Sequence, residues 1–191
     1  MLTEQDYINA ASILSVEVAC VKAVAEVEST GSGFLADGSV KILFEPHIFW
    51  KELRAKGIDP NKHTKGNEDI LYLQWGYRPY GKYSQQHGRL NRAKLIDEDA
   101  ALASASWGAF QILGKYFYEA GYSNVKDFVA DMNKGETQHL ISFCKLVKYR
   151  NLDDELRNRL WEQFAEAYNG KGYKKNKYHI KLPAAYEKYS T

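Results

Sequence analysis

A mostly α-helical α+β fold, with one small β-hairpin between residues 34 and 45, is what this 191-residue chain predicts. Three observations carry that expectation. Apolar residues recur at helical spacing through much of the chain, with Leu140, Phe143 and Val147 on one stripe and Leu156, Leu160 and Phe164 on another. The tight-turn dipeptide Asp37-Gly38 stands just before the β-rich run Val40-Lys41-Ile42-Leu43-Phe44. Finally, no repeat, low-complexity tract or linker divides the sequence. Residues 1–191 therefore read as a single domain, long enough to bury a core, with no separate binding module.

The elements follow in order. Thr3-Glu4-Gln5-Asp6 has the Thr-x-x-acid form of a helix start and predicts a first helix to about Leu14. Ser15 is then placed to cap a second, nearly all-apolar helix over 16–28, which breaks into the Ser/Thr/Gly loop 29–33. After the hairpin, Pro46 introduces a helix over 47–56 that Gly57 stops. Residues 58–90 hold no clean period: prolines and glycines punctuate Tyr72, Trp75, Tyr77, Tyr80 and Tyr83. A loop of this length inside a compact domain is usually functional. Its rings, apolar in body and polar at the tip, suit either a platform for sugar faces or anchors that hold the loop down, and Tyr80 is the one we take as a candidate ligand. Helices are predicted over 92–104, 115–120, 125–132, 137–149 and 153–167, with a last one near 183–189. The segment 106–114 interrupts that pattern.

Bulk properties exclude several classes. A net charge of +2 gives no reason to expect nucleic acid. The two cysteines, Cys20 and Cys144, both fall in apolar helical patterns and read as buried thiols. The five histidines stand at no metal-ligand spacing, so neither a metal site nor a cofactor is expected. Glu4 and Asp6 replace the basic start of a signal peptide, Glu17 and Lys22 interrupt the apolar run, and no uncharged stretch has transmembrane length.

One residue asks for an explanation. An apolar helix needs no glutamate in its last turn, yet the second helix ends on Glu28. At 100° per residue, Glu28 lies about 20° from Val21 and about 40° from Val24, on an apolar line. Glu26 lies about 200° away, near its i,i+4 neighbour Lys22, as a solvent-facing pair would. Glu28 thus faces a partly dry space, where desolvation keeps a carboxyl protonated nearer neutrality, the state a general acid requires. A solvated glutamate beside a glycine stop is the plainer alternative.

Three interruptions of the helical pattern share one character: Glu28-Ser29, then Gly108-Ala109-Phe110-Gln111, then Ala167-Tyr168-Asn169-Gly170. In this order they resemble the lysozyme superfamily, in particular goose-type lysozymes and soluble lytic transglycosylases, although the middle motif departs at Ala109-Phe110. A closer resemblance, over nearly the whole chain, is to the N-acetylmuramidase domain family of phage endolysins. It rests on Ala23–Ser29 with Gly31-Ser32-Gly33-Phe34, on Ile42-Leu43-Phe44-Glu45-Pro46-His47, on Ser104–Ile112, and on Tyr168-Asn169-Gly170 with Gly172-Tyr173.

That resemblance implies a lysozyme-like fold and cleavage of the peptidoglycan glycan strand between N-acetylmuramic acid and N-acetylglucosamine, with Glu28 as the acid. The implied partner is peptidoglycan, met by a monomer made in the host bacterial cytoplasm and acting on the wall in the periplasm during phage-induced lysis. For a second carboxylate the candidates are Asp37 and Glu45, both on the hairpin. Asp37 has an ordinary role in an Asp-Gly turn, and Glu45 one at a helix start. Glu45 is preferred because a β-rich run could aim it inward. The resemblance also implies that Gln111, Tyr168 and Asn169 line the sugar subsites, with Trp107 and Phe110 as core or groove wall. The lysines at 171, 174, 175, 177 and 181 read as a solvated tail or as an attraction to anionic surfaces. A lytic transglycosylase and a non-catalytic glycan-binding module remain as alternatives.

Overall fold

The computed structural model describes residues 1–29 and 31–190; Thr30, Thr191 and the side chain of Lys171 lie outside the described residues. Helix α1 (Glu4–Leu14) starts as its sequence dictates. The Asp6 N–H donates to Thr3 Oγ1, and the Asp6 carboxylate accepts the Thr3 N–H at 2.7 Å, so two open donors of the first turn are satisfied reciprocally. Ser15 does not cap the second helix. It closes α1 in the left-handed region at φ 55°, and α2 (Val18–Glu28) starts from Glu17. The chain bends by 105° between the two helices, and a left-handed residue makes that corner.

The predicted hairpin is present in reduced form. Phe34 bridges Val40 in antiparallel fashion around Asp37-Gly38, with Gly38 at φ 82°. The main partner of strand β1 (Ile42–Phe44) comes from elsewhere. Helix α3 (Pro46–Ala55) has Pro46 in its first turn, and α4 (Gln86–Lys94) and α5 (Glu98–Ala103) replace the single helix expected over 92–104. Asp97 accepts the Ala100 N–H and so starts a new helix inside the apolar period. Strands β2 (Ala105–Trp107) and β3 (Ile112–Leu113) follow. The sheet runs β1-β2-β3, all antiparallel, with Ile42 opposite Trp107 and Ser106 opposite Leu113. The break in helical pattern at 106–114 is therefore a second, very short hairpin.

Helices α6 (Val125–Met132) and α7 (Glu136–Tyr149) fall where the stripes put them. The helix expected over 153–167 is divided into α8 (Asp153–Arg157) and α9 (Trp161–Asn169), with Arg159 at φ 56° in the break. Helix α10 (Tyr178–Tyr189) begins before Pro183 and packs along α2. Phe44, Phe49, Phe128, Phe143, Phe164 and Leu182 anchor one continuous core, and both cysteines are buried free thiols.

A buried histidine joins α7 to the two loops that matter below. His139 Nδ1 accepts the Ala109 N–H at 3.2 Å, so its Nε2 carries the proton it gives to the Met132 carbonyl at 2.7 Å. Phe34 stacks on the same ring at 5.3 Å, and Gly33 and Gly108 close over it where any larger residue would clash. Among the described residues, no single helix is long and apolar enough to cross a membrane, and no group of three or more His, Cys, Asp or Glu converges as metal ligands do.

Candidate active site

Glu28 ends α2, half-buried, in a position the apolar face of that helix imposes on it. Asn169, at the end of α9, donates its Nδ2–H to Glu28 Oε1 at 2.9 Å. Burial pushes the Glu28 carboxyl up from its ordinary 4.5 to about 7, while the Asn169 bond and the Lys181 charge pull it back. Glu26 behaves in the opposite way. Its carboxylate takes Lys188 Nζ at 2.6 Å and the Tyr189 hydroxyl at 2.5 Å, and these hold it below the usual carboxylate range. The solvent-facing reading of Glu26 stands, though its partner lies on α10, because Lys22 bonds Glu4 at 2.7 Å instead.

A cleft of about 360 Å³ opens at Glu28. It brings together four residues singled out in the sequence, Glu28, Gln111, Tyr168 and Asn169, which come from α2, the β2–β3 turn and α9. Gln111 is held at φ 48°, and its Nε2 donates to the Gly108 carbonyl at 2.8 Å, so the side chain both fixes the turn and lines the cleft. Tyr168 stacks on Phe164 at 5.7 Å and meets the edge of Phe143 at 5.3 Å; burial first, then the Glu28 charge, hold its hydroxyl firmly in the neutral form. Phe110 forms part of the wall, whereas Trp107 is core, its Nε1–H given to the Leu102 carbonyl at 3.1 Å.

The other candidates stand apart from this cleft. Asp37 is exposed, and its carboxylate accepts the Ser39 N–H at 2.9 Å and the Ser39 hydroxyl at 2.6 Å; those bonds hold it below the ordinary range. This is the turn role its sequence allows. Glu45 lies between β1 and α3 and receives the Ser106 hydroxyl at 3.2 Å and the Tyr80 hydroxyl at 3.3 Å, with His47 Nε2 at 3.8 Å. Burial raises the Glu45 carboxyl above its ordinary value, and burial with the Glu45 charge pushes the Tyr80 phenol up to about 12. Glu45 and Tyr80 thus form a second partly dry group, on the β1–β2 side of the sheet, while the Glu28 cleft meets β3.

A larger cavity, about 750 Å³, lies on the neighbouring face of α2 between Tyr7, Lys22, Glu26, Glu136 and Tyr189. It offers no proton donor of the Glu28 kind. Burial pushes the Glu136 carboxyl up, but the Gly33 N–H and the terminal ammonium outweigh it and hold Glu136, like Glu26, ionised. Chemistry therefore favours the smaller cleft.

Three polar cleft residues went unnoticed in the sequence, Tyr116, Arg150 and Tyr178, as did the apolar Leu146. None belongs to the three motifs. Arg150 stands just past the α7 stripe and Tyr178 among the lysines of the basic run, and neither position carries a local signal of its own.

A profile of the N-acetylmuramidase family matches residues 17–190. The chain belongs to the N-acetylmuramidase family. A search of curated proteins returned no match. Among solved structures, the crystal structure of Burkholderia AP3 phage endolysin is similar, with a TM-score of 0.91 and 38% sequence identity; the alignment covers 99% of this chain and 71% of that one. All the cleft residues named above fall inside the stretch that the N-acetylmuramidase profile matches.

Proposed function

We propose that this peptidoglycan-degrading enzyme hydrolyses the β-1,4 bond between N-acetylmuramic acid and N-acetylglucosamine, with Glu28 as general acid. The observation that carries the proposal is a carboxyl titrating near 7, held by Asn169 at the mouth of a sugar-sized cleft. Protonated at neutral pH, Glu28 gives its proton to the glycosidic oxygen as the C–O bond breaks and positive charge develops at the anomeric carbon. Asn169 fixes the carboxyl's orientation, so that the oxygen it does not engage faces the bond. Gln111, Tyr168 and Asn169 supply amide and phenol groups suited to an N-acetyl substituent. Of the two hairpin carboxylates Glu45 is the more desolvated and is the one we assign to the second half of the reaction, although it lies outside the Glu28 cleft, and Asp37 is left to its turn. In the cell, the family's peptidoglycan substrate and the likeness to a phage endolysin support a host-lysis enzyme that is made in the cytoplasm and acts on the wall in the periplasm.

One observation favours a second reading. Among the described residues, Glu28 is the sole acid lining its cleft. A lytic transglycosylase works with one carboxyl as acid and then base, leaving a 1,6-anhydro sugar. Mass spectrometry of digested peptidoglycan separates the two: reducing muramic termini are expected, and anhydro-muramic termini as the main product would replace hydrolysis by transglycosylation. For the acid itself, Glu28→Gln is expected to cut lysis of outer-membrane-permeabilised Gram-negative cells by about 10²–10⁴-fold. Lysis at the unmodified rate would remove Glu28 from the mechanism.

A further inference from the structure

Arg150 is placed for more than the end of a helix. It follows α7 directly, where a cation is favourable in any case, yet its side chain is turned into the wall of the Glu28 cleft. Two contacts hold it there. Its Nε–H donates to Glu119 Oε2 at 2.7 Å, and its guanidinium lies over the Tyr116 ring at 4.7 Å. Both contacts leave the outer edge of the guanidinium to the cleft: among the described residues, no hydrogen bond engages either Nη, and the side chain keeps 26% of its accessible surface. A guanidinium gripped at Nε and stacked on a ring is a rigid fork whose remaining N–H groups match a carboxylate. Among the described residues that line the cleft, Arg150 alone carries a fixed positive charge; the others are apolar, neutral or the proposed acid itself.

We propose that Arg150 is the carboxylate receptor of this cleft and selects glycan strands through the anionic substituent of the muramyl residue. This rests on the glycan-cleaving reading of the Glu28 cleft and adds what distinguishes the two sugars of the strand. N-acetylmuramic acid is N-acetylglucosamine with a lactyl ether, and that ether ends in a carboxylate or continues into an acidic stem peptide. An arginine on one side of the scissile bond discriminates the muramyl unit from its neighbour by charge. The N-acetyl-binding groups have no such basis for choice, because both sugars carry the N-acetyl group.

The test is binding in the Glu28→Gln background, where no turnover obscures affinity. Three probes are titrated by calorimetry: an oligosaccharide of alternating N-acetylglucosamine and N-acetylmuramic acid with free lactyl carboxylates, the same oligosaccharide with those carboxylates reduced to alcohols, and its peptide-bearing form. The free acid is expected to bind at least about tenfold more tightly than the reduced form, as a charge-assisted pair implies. Adding Arg150→Gln should bring that ratio to within about twofold, and Arg150→Lys, which keeps the charge and loses the fork, should restore part of it. The Lys variant, checked by thermal unfolding, guards against a Gln variant that fails to fold. A peptide-bearing probe that binds like the free acid assigns the receptor to stem-peptide carboxylates; one that binds like the reduced probe assigns it to the lactyl group. A preference that survives Arg150→Gln would overturn the proposal and point to Lys181, the other cation near Glu28. Equal affinity for all three probes, with lysis by the unmodified protein intact, would overturn the role of Arg150 and leave that of Glu28. Failure to bind any probe would overturn both.

Discussion

The bond from Asn169 to Glu28 acts against the burial around the carboxyl: one N–H favours the ionised form, and desolvation opposes it more strongly. Removing the donor should therefore raise the Glu28 pKa further. For Asn169→Ala we expect the alkaline limb of kcat/KM to move up in pH by less than about one unit, and kcat/KM to fall roughly tenfold as the carboxyl loses its orientation. A limb that moved down would contradict the balance drawn here. The same carboxyl also bears on stability. Its folded pKa, about 7, exceeds its ordinary 4.5, so folding is unhindered by this group below about 4.5 and opposed in full above about 7. Glu28→Gln keeps an oxygen for Asn169 and discards the charge. By urea unfolding it should be more stable than the unmodified protein at pH 8, by about 1–2 kcal/mol once solvent access through the cleft is allowed for, and equal to it at pH 4. Glu28 itself was legible in the sequence because helical geometry alone separates it from Glu26. Asn169 entered only through family resemblance, since no local pattern relates residues 141 positions apart.

At the scale of elements, the β2–β3 turn is held from behind by His139. Gly108 adopts φ 72°, and a Cβ there would come within 2.8 Å of the His139 ring. Gly108→Ala should lower stability by roughly 2–4 kcal/mol, measured by chemical denaturation, and should displace Gln111 from the cleft. The sequence showed a break in the helical pattern over 106–114, but nothing announced strands of three and two residues, because runs that short hold too few positions for an alternation to stand out. Helix stripes proved more legible than helix limits. Leu156 and Phe164 are fully buried, but Leu160 between them is exposed at the corner that follows Arg159, so the apolar period finds the two core contacts and misses the break in the chain. Residues 58–90 are irregular only in part: short 3-10 turns stand at Pro60–His63 and Tyr83–Gln85, and α4 already begins at Gln86. The long-range ties they provide, Tyr80 to Glu45, Gln86 to Phe44 and His87 to Val40, depend on pairings that sequence order does not show.

Across the whole molecule, α10 is the cover of α2. Leu182 is fully buried, and Lys188 and Tyr189 fasten the helix to Glu26, while Tyr178 at the other end of the same helix lines the Glu28 cleft. Leu182→Ala should cost about 2–5 kcal/mol and depress lysis together with melting temperature, whereas Glu26→Gln should leave lysis nearly unchanged. The mostly helical class was legible from periodicity, yet the closure of one end of the chain over the other was not, because an apolar stripe does not name its partner. That closure also has a temporal meaning. Glu28 leaves the ribosome before Asn169 and before α10, the helix that packs along α2. A growing chain that has not yet reached Tyr178 therefore holds Glu28 without the cover and the cleft wall that surround it in the folded protein.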